Sequence, residues 1–470
     1  MILPKPLEEI LTHILKEEYD DFLDSLANES KTSIHMNLSK SDFFFFLTPQ
    51  KISWFKNGYF LQKRPSFKTE PLFQAGAYYV QESSSMFVAE AVRQLLSKRK
   101  DNAFLKVLDL CAAPGGKSLL LESAIPEDSL VLCNEIINSR YKVLRHNLDK
   151  WGSLKTYSSQ HAPEELSAIG NFFDIILVDA PCSGEGMIRK SSEVLPNWSE
   201  KSVAGCALRQ QNILKDAITL LKPGGHLIYS TCTYNPSENI NNAIWLKQNG
   251  FNNVPLEIDP NWNIVVVQEQ EVEGYQFFPH KVPGEGFFIS CFVKSDDGSF
   301  SEMQNETKFS NKKSKKKKQK HQLKRTAYWN LMSEKQRPLV DPWLEGPDRF
   351  DVYENPNGQL KIILKTHREE ALFLENKLRQ KAIGTLIGTL KGKQLVPSHQ
   401  LALSNAVNKK LPSLELSKSQ AVQFLKKENF ELPGQASGWT LLKYEGVNLG
   451  WIKALPNRFN NYIPSNFRIT

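Results

Sequence analysis

Cysteine is scarce, with six residues in 470 and no paired spacing. That usage fits reduced thiols in a cytoplasmic protein and excludes a disulfide framework or a spaced zinc site. Long hydrophobic runs are also missing. A membrane helix needs ~20 apolar residues, and the tightest cluster, Phe43 to Leu47, is far shorter. Met1 to Lys16 has no basic stretch leading into an apolar core, so no signal peptide is expected. There is no internal repeat and no G-x-x-x-x-G-K-[ST] phosphate loop. Acids are fewer than bases, 51 against 59, for a net charge of +8. The excess is local. Lys312 to Arg325 carries nine Lys and Arg and no acid, which leaves the rest of the chain near neutral. Such a tract suits a polyanion such as nucleic acid, and also a solvated linker.

What is present reads as a globular protein of two or three domains, at ~100–200 residues each. Apolar residues make up 40% and charged residues 23%. Residues 1–85 form an N-terminal extension that opens with helical spacing of Leu7, Ile10, Leu11 and Ile14. Over 86–295 short apolar strands alternate with helices. Strands are expected at 106–110, 130–133, near 156, at 173–178 and at 226–230. Helices are expected from Ser118, over 139–151 and over 208–221. This alternation predicts an α/β, Rossmann-like doubly wound sheet. Residues 296–325 read as a lysine-rich linker. Residues 326–470 form a C-terminal region, helical over 401–425 and β-rich from Trp439.

The chain is organised around Asp179-Ala180-Pro181-Cys182-Ser183-Gly184-Glu185-Gly186. The apolar run before it is a buried strand, so an acid, a proline and a thiol are delivered to one turn. In an open α/β sheet, ligands bind beyond the carboxyl ends of the strands. A second thiol, Cys232, ends a later strand in Thr231-Cys232-Thr233-Tyr234. Neither lies in a C-x-x-C, which argues against a redox pair. Asn235-Pro236-Ser237-Glu238 after it reads as a helix start. The loop Cys111-Ala112-Ala113-Pro114-Gly115-Gly116-Lys117 lets a ligand approach backbone N–H groups. Glu135, at the end of the next strand, suits a ribose diol. With no phosphate loop, S-adenosylmethionine fits this nucleoside site. An amine or adenine methyltransferase would want an [N/D]-P-P-[Y/F] turn, and Asp179-Ala180-Pro181-Cys182 is not one.

The strings LDLCAAPGGKS, LVDAPCSGEGMIRK and STCTYNPSEN resemble the Sun (RsmB/RsmF-type) family of RNA cytosine-5 methyltransferases over about residues 25–295. AGAYYVQESSSM and SIHMNLSK resemble its upstream elements. SGEGMIRK, PSHQLAL and LGWIKALPNRFNNYIPSNFR are most similar to the RsmF-like branch, which acts on small-subunit (16S) ribosomal RNA and ends in a PUA-like domain. The resemblance implies that 1–85 and 326–470 serve RNA binding; a monomer is expected, and the lack of long apolar runs predicts no membrane partner. The resemblance also implies that Cys232 is the nucleophile, that Cys182 acts in release, and that Cys111 to Lys117, Glu135 and Asp179 hold the cofactor. Asp179 would hydrogen-bond the base, Lys117 would orient base or acid, and Arg189 and Lys190 would face phosphate. The family's acid after the third strand is absent; Gln160 in Ser159-Gln160-His161-Ala162 is left to meet an adenine edge. A transfer RNA substrate, or a ribosome-assembly RNA binder without catalysis, is the alternative.

Overall fold

A computed structural model of the chain describes residues 3–41, 50–97, 104–191, 193–295 and 329–469. The linker 296–325, with its basic tract, lies outside the described residues.

The centre is one large sheet. Its parallel strands are β1 (Lys106–Asp109), β2 (Leu130–Asn134), β3 (Thr156–Ser159), β4 (Phe173–Asp179) and β5 (Leu221–Thr231). Three more, β6 (Val265–Glu269), β7 (Val272–Phe277) and β8 (Phe287–Lys294), join antiparallel beyond β5. A short strand β9 (Lys381–Ala382) pairs antiparallel with β3 at the other edge. The order is β6-β7-β8-β5-β4-β1-β2-β3-β9. The order doubles back between β1 and β4, so a crevice opens there at the carboxyl ends.

The strands are apolar because both faces are covered. Val107, Val131, Cys133, Ile175, Leu177 and Ile228 enter one core, and Leu108, Leu130, Leu132, Ile176, Val178 and Leu227 the other. That alternation is the two-residue period of a pleated strand. Helices α1 (Phe87–Ser97), α2 (Gly116–Ala124), α3 (Asn138–Trp151), α4 (Glu200–Leu220) and α5 (Ile240–Gln248) lie in this domain. Two expectations shift. Strand β5 begins at Leu221, because the Pro223-Gly224-Gly225 stretch is taken up within the strand, with Gly224 at φ +68° and an irregular register opposite 173–175. Helix α5 begins at Ile240, because Asn235 closes a local turn through its Oδ1 to the Ser237 N–H, and Glu238 turns inward.

The N-terminal extension has two helices, Lys5–Leu15 and Tyr19–Ala27, and a four-stranded sheet ordered 50–52, 55–60, 33–36, 78–80. Leu7, Leu11 and Leu15 form the buried stripe, with Ile10 and Ile14 at its margin. This stripe and Phe22 pack on Ile188, Trp198, Tyr234 and Phe278, the flank of the future site. SIHMNLSK acts as a clasp. The Asn37 side-chain amide donates to Gly76 O at 3.0 Å and to Trp151 O at 2.9 Å, and Lys40 Nζ donates to Ala75 O at 2.7 Å. The free carbonyls that end α3 are thereby satisfied from another domain.

The C-terminal region is two units. Residues 330–397 hold a five-stranded sheet, and 413–461 a four-stranded one. Between them 401–425 is less helical than its composition suggested, with helices only at His399–Leu403 and Lys418–Lys426. The last sheet shares a core with the N-terminal sheet: Ile34, Leu72 and Tyr78 meet Phe424, Leu442, Ile452 and Phe467.

Candidate active site

The cleft beyond β1, β2 and β4 has a volume of ≈ 570 Å³. Leu110, Cys111, Glu135, Asp179, Cys182 and Cys232 all line it, so the strand-end residues singled out in the sequence do converge. The loop Cys111 to Lys117, of which Cys111 lines the cleft, is held from both sides. Ala112 N–H donates to Asn134 O at 2.8 Å, Arg140 Nη2 to Ala113 O at 2.8 Å, and Asn147 Nδ2 to Pro114 O at 2.8 Å. Gly115, at φ +116°, caps α2. Gly116 is glycine for another reason: a Cβ there would lie 2.1 Å from Gln81 Oε1. Gln81 belongs to AGAYYVQESSSM, so that motif forms the back wall of the loop.

Glu135 accepts the Ile137 N–H at 2.8 Å and pairs with Arg140 at 3.4 Å. Each carboxylate oxygen keeps a further lone pair for a diol. Ile136 and Ile137, 53% and 48% exposed, give the same lip a bare apolar surface that suits a flat purine. Four carboxylates, Glu135, Glu164, Asp179 and Asp216, line the cleft against two arginines, Arg140 and Arg209. That balance suits a cofactor with a ribose and a cationic sulfonium, and disfavours a polyphosphate. The residues present therefore fit S-adenosylmethionine. Gln160 is turned aside, its Nε2 3.4 Å from Ile136 O, and Glu164 is the acid that reaches the cleft on that side.

The two thiols meet, with Cys182 Sγ 3.3 Å from Cys232 Sγ. The Cys232 N–H also points at Cys182 Sγ, at 3.4 Å. The hydrogen bond from Cys182 moves the Cys232 thiol below its ordinary range, against burial, and Lys117 adds to the fall. The same hydrogen bond, then burial, pushes Cys182 well up. Of the two, Cys232 is therefore the more acidic thiol, with Cys182 as its hydrogen-bond donor. Lys117 is the cation beside them. Its Nζ lies 2.9 Å from Asp179 Oδ2. Burial alone would lower Lys117; Asp179 outweighs it and holds the ammonium above its usual pKa. Asp179 Oδ1 accepts from Ser230 Oγ at 2.9 Å, which fixes the carboxylate toward the cleft.

Arg189 requires a correction. It does not face solvent or phosphate. Its guanidinium is 3.1 Å from the buried Glu285 carboxylate and donates to Gly284 O at 2.7 Å and Ser25 O at 3.2 Å. Arg189 is an internal strut binding the N-terminal helices to the loop before β8. Lys190 stays more exposed, 3.6 Å from the same Glu285. The spacing could not separate strut from contact, because Glu285 lies 96 residues away.

Two further residues of the site were not singled out in the sequence. Asp109 is fully buried below the loop. Ser118 Oγ donates to its Oδ2 at 2.6 Å, the other oxygen is without a partner among the described residues, and burial raises its pKa to about 7. An acid inside the apolar run KVLDL was the available signal. Asn134 holds three segments: its amide donates to Leu110 O and His161 O, and its Oδ1 accepts from Ser159 Oγ.

A doubly wound sheet with a cleft beyond its strand ends, lined by paired thiols, is the architecture of a Rossmann-like methyltransferase. Three family models match in chain order: the N-terminal domain of 16S rRNA methyltransferase RsmF at 3–83, 16S rRNA methyltransferase RsmB/F at 93–293, and the methyltransferase RsmF PUA domain at 411–469. Together they cover well over half the chain, which belongs to the RsmB/F methyltransferase family. Ribosomal RNA small subunit methyltransferase F of Shewanella loihica is 26% identical over 95% of this chain and 90% of its own. The protein of that name from Escherichia coli is 33% identical, over 59% of this chain and 60% of its own. NSun6 from Pyrococcus horikoshii, solved with SFG, has the same fold, with TM-score 0.52 and 18% identity over 63% of this chain and 99% of its own.

Proposed function

We propose that this protein transfers a methyl group from S-adenosylmethionine to carbon 5 of a cytosine in small-subunit ribosomal RNA. The observation that carries the chemistry is the thiol pair, 3.3 Å apart at the cofactor cleft. Carbon 5 of cytosine is a weak nucleophile. The Cys232 thiolate adds to carbon 6, and carbon 5 becomes an enamine carbon able to attack. The cofactor, when bound, supplies an electrophilic methyl. Asp179, held by Ser230 and Lys117, hydrogen-bonds the ring edge and stabilises the adduct. Carbon 5 then loses its proton, the carbon 5–carbon 6 double bond re-forms, and the Cys232 thiolate is expelled. Cys182 stands where it can take part in that proton transfer. The base must leave its stack, which costs roughly a few kcal/mol unless it is unpaired.

The RNA assignment rests on the family and on the PUA domain match. No described helix is long and apolar enough to cross a membrane. We read the protein as a cytoplasmic monomer. Bisulfite sequencing of total RNA from cells lacking it tests the substrate. One small-subunit ribosomal cytosine should lose its methyl. Loss confined to transfer RNA would move the assignment there, and no loss anywhere would end it.

A further inference from the structure

Glu238 was read from sequence as part of a helix start, and the structure uses it otherwise. It is fully buried between α4 and the Pro-Cys turn. Its Oε2 accepts the Ser183 N–H at 2.9 Å and the Gln210 side-chain amide at 2.8 Å. The same Gln210 amide donates to Pro181 O at 3.1 Å. The residues before and after Cys182 are therefore each tied to this pair. Below them, Gln210 Oε1 accepts from Asn242 Nδ2 at 2.8 Å, and Tyr229 Oη lies 3.2 Å from the same oxygen. All four side chains are buried. Glu238 Oε1 has no partner among the described residues. A buried carboxylate left half satisfied is costly, so a chain that only needed to start a helix gains nothing from it.

We infer that Glu238, with Gln210, is a positioning residue for the release step: it clamps the Pro181–Ser183 turn so that the Cys182 thiol stays in contact with Cys232. This rests on the covalent reading above. The clamp touches neither cofactor nor base. It acts at the moment when Cys232 must leave the ring, by keeping the second sulfur within reach.

The test uses the full-length protein and four variants: Glu238→Gln, Glu238→Ala, Asn242→Ala and Cys182→Ala. Glu238→Gln keeps shape and one acceptor but puts an amide against the Gln210 amide. Three quantities are read: S-adenosylmethionine affinity by calorimetry, the covalent RNA adduct on a denaturing gel, and the rate at which diamide joins Cys182 to Cys232. In that last reaction the thiols lose two hydrogens and the diazene becomes a hydrazine, so the rate reports how closely the sulfurs stay together. For Glu238→Ala we expect unchanged cofactor affinity, at least tenfold slower cross-linking and accumulated adduct. Glu238→Gln should recover part of both. Asn242→Ala cuts the network on the side away from the turn and should leave both near wild type. Wild-type cross-linking in Glu238→Ala, or an equal loss in Asn242→Ala, overturns the clamp in favour of a merely structural role. If Cys182→Ala yields no adduct, the covalent reading fails instead, and the cross-linking rate alone decides Glu238. A Glu238→Ala protein that cannot fold transfers the decision to Glu238→Gln, whose wild-type cross-linking would also overturn the clamp.

Discussion

Lys117 shows how a single side chain joins two jobs. It neutralises Asp179 at 2.9 Å and lowers the neighbouring Cys232 thiol. On the proposed mechanism the thiolate is the reactive form, so methyl transfer should rise with pH through the ionisation of Cys232, which the Cys182 hydrogen bond draws downward. Lys117→Met removes a cation that favours the thiolate, so the rising limb should move to higher pH. Once that limb lies above neutral pH, each further unit of displacement lowers the rate there about tenfold. A pH–rate profile measures this, and an unmoved limb would take Lys117 out of the activation. Arg189→Ala has a different signature. It removes the nearer of two cations from the buried Glu285 carboxylate and leaves Lys190 at 3.6 Å, a change worth up to about 3–5 kcal/mol of stability. Denaturant titration should show that loss, with the salt dependence of RNA binding unchanged. A stable variant with a flatter salt slope would restore Arg189 to the phosphate. The thiols, Asp179, Lys117 and Glu135 were legible because each follows an apolar strand in a short motif. Asp109, Gln210 and Glu238 were not, since their partners lie on other elements and burial leaves no trace in spacing.

At the scale of elements, the period-two apolar runs and the small-residue loop made the central sheet readable. Its antiparallel half was not readable, because β6 and β7 are joined by a tight turn and only Val272 and later residues are buried. Nor was the use of β9, two residues from the C-terminal region that pair with Ser158 and Ser159. The upstream motifs SIHMNLSK and AGAYYVQESSSM, which resemble family elements in the sequence, are joints in the structure. Gly76 makes the point: at φ +71°, its Cβ would lie 2.0 Å from Lys150 O, at the end of α3. Gly76→Ala should cost about 1–3 kcal/mol by overpacking and backbone strain. Chemical denaturation checks this, and a neutral substitution would mean the joint yields freely.

On the scale of the molecule, the N-terminal and C-terminal sheets share one apolar core although more than 300 residues separate them in sequence. Stretches read as separate domains thus share one core. Truncation after residue 410 should bare the Ile34, Leu72 and Tyr78 face, and hydrogen exchange over 33–80 should accelerate. Unchanged protection there would show that the N-terminal sheet stands alone. On the proposed mechanism, the arrangement serves two sulfur atoms. Cys182→Ala protein incubated with S-adenosylmethionine and unmodified small-subunit RNA, then run on a denaturing gel, tests their roles most directly. We expect a covalent protein–RNA band that disappears when Cys232 is also replaced by alanine. Normal turnover with no such band, or a band that survives without Cys232, would contradict the assignment.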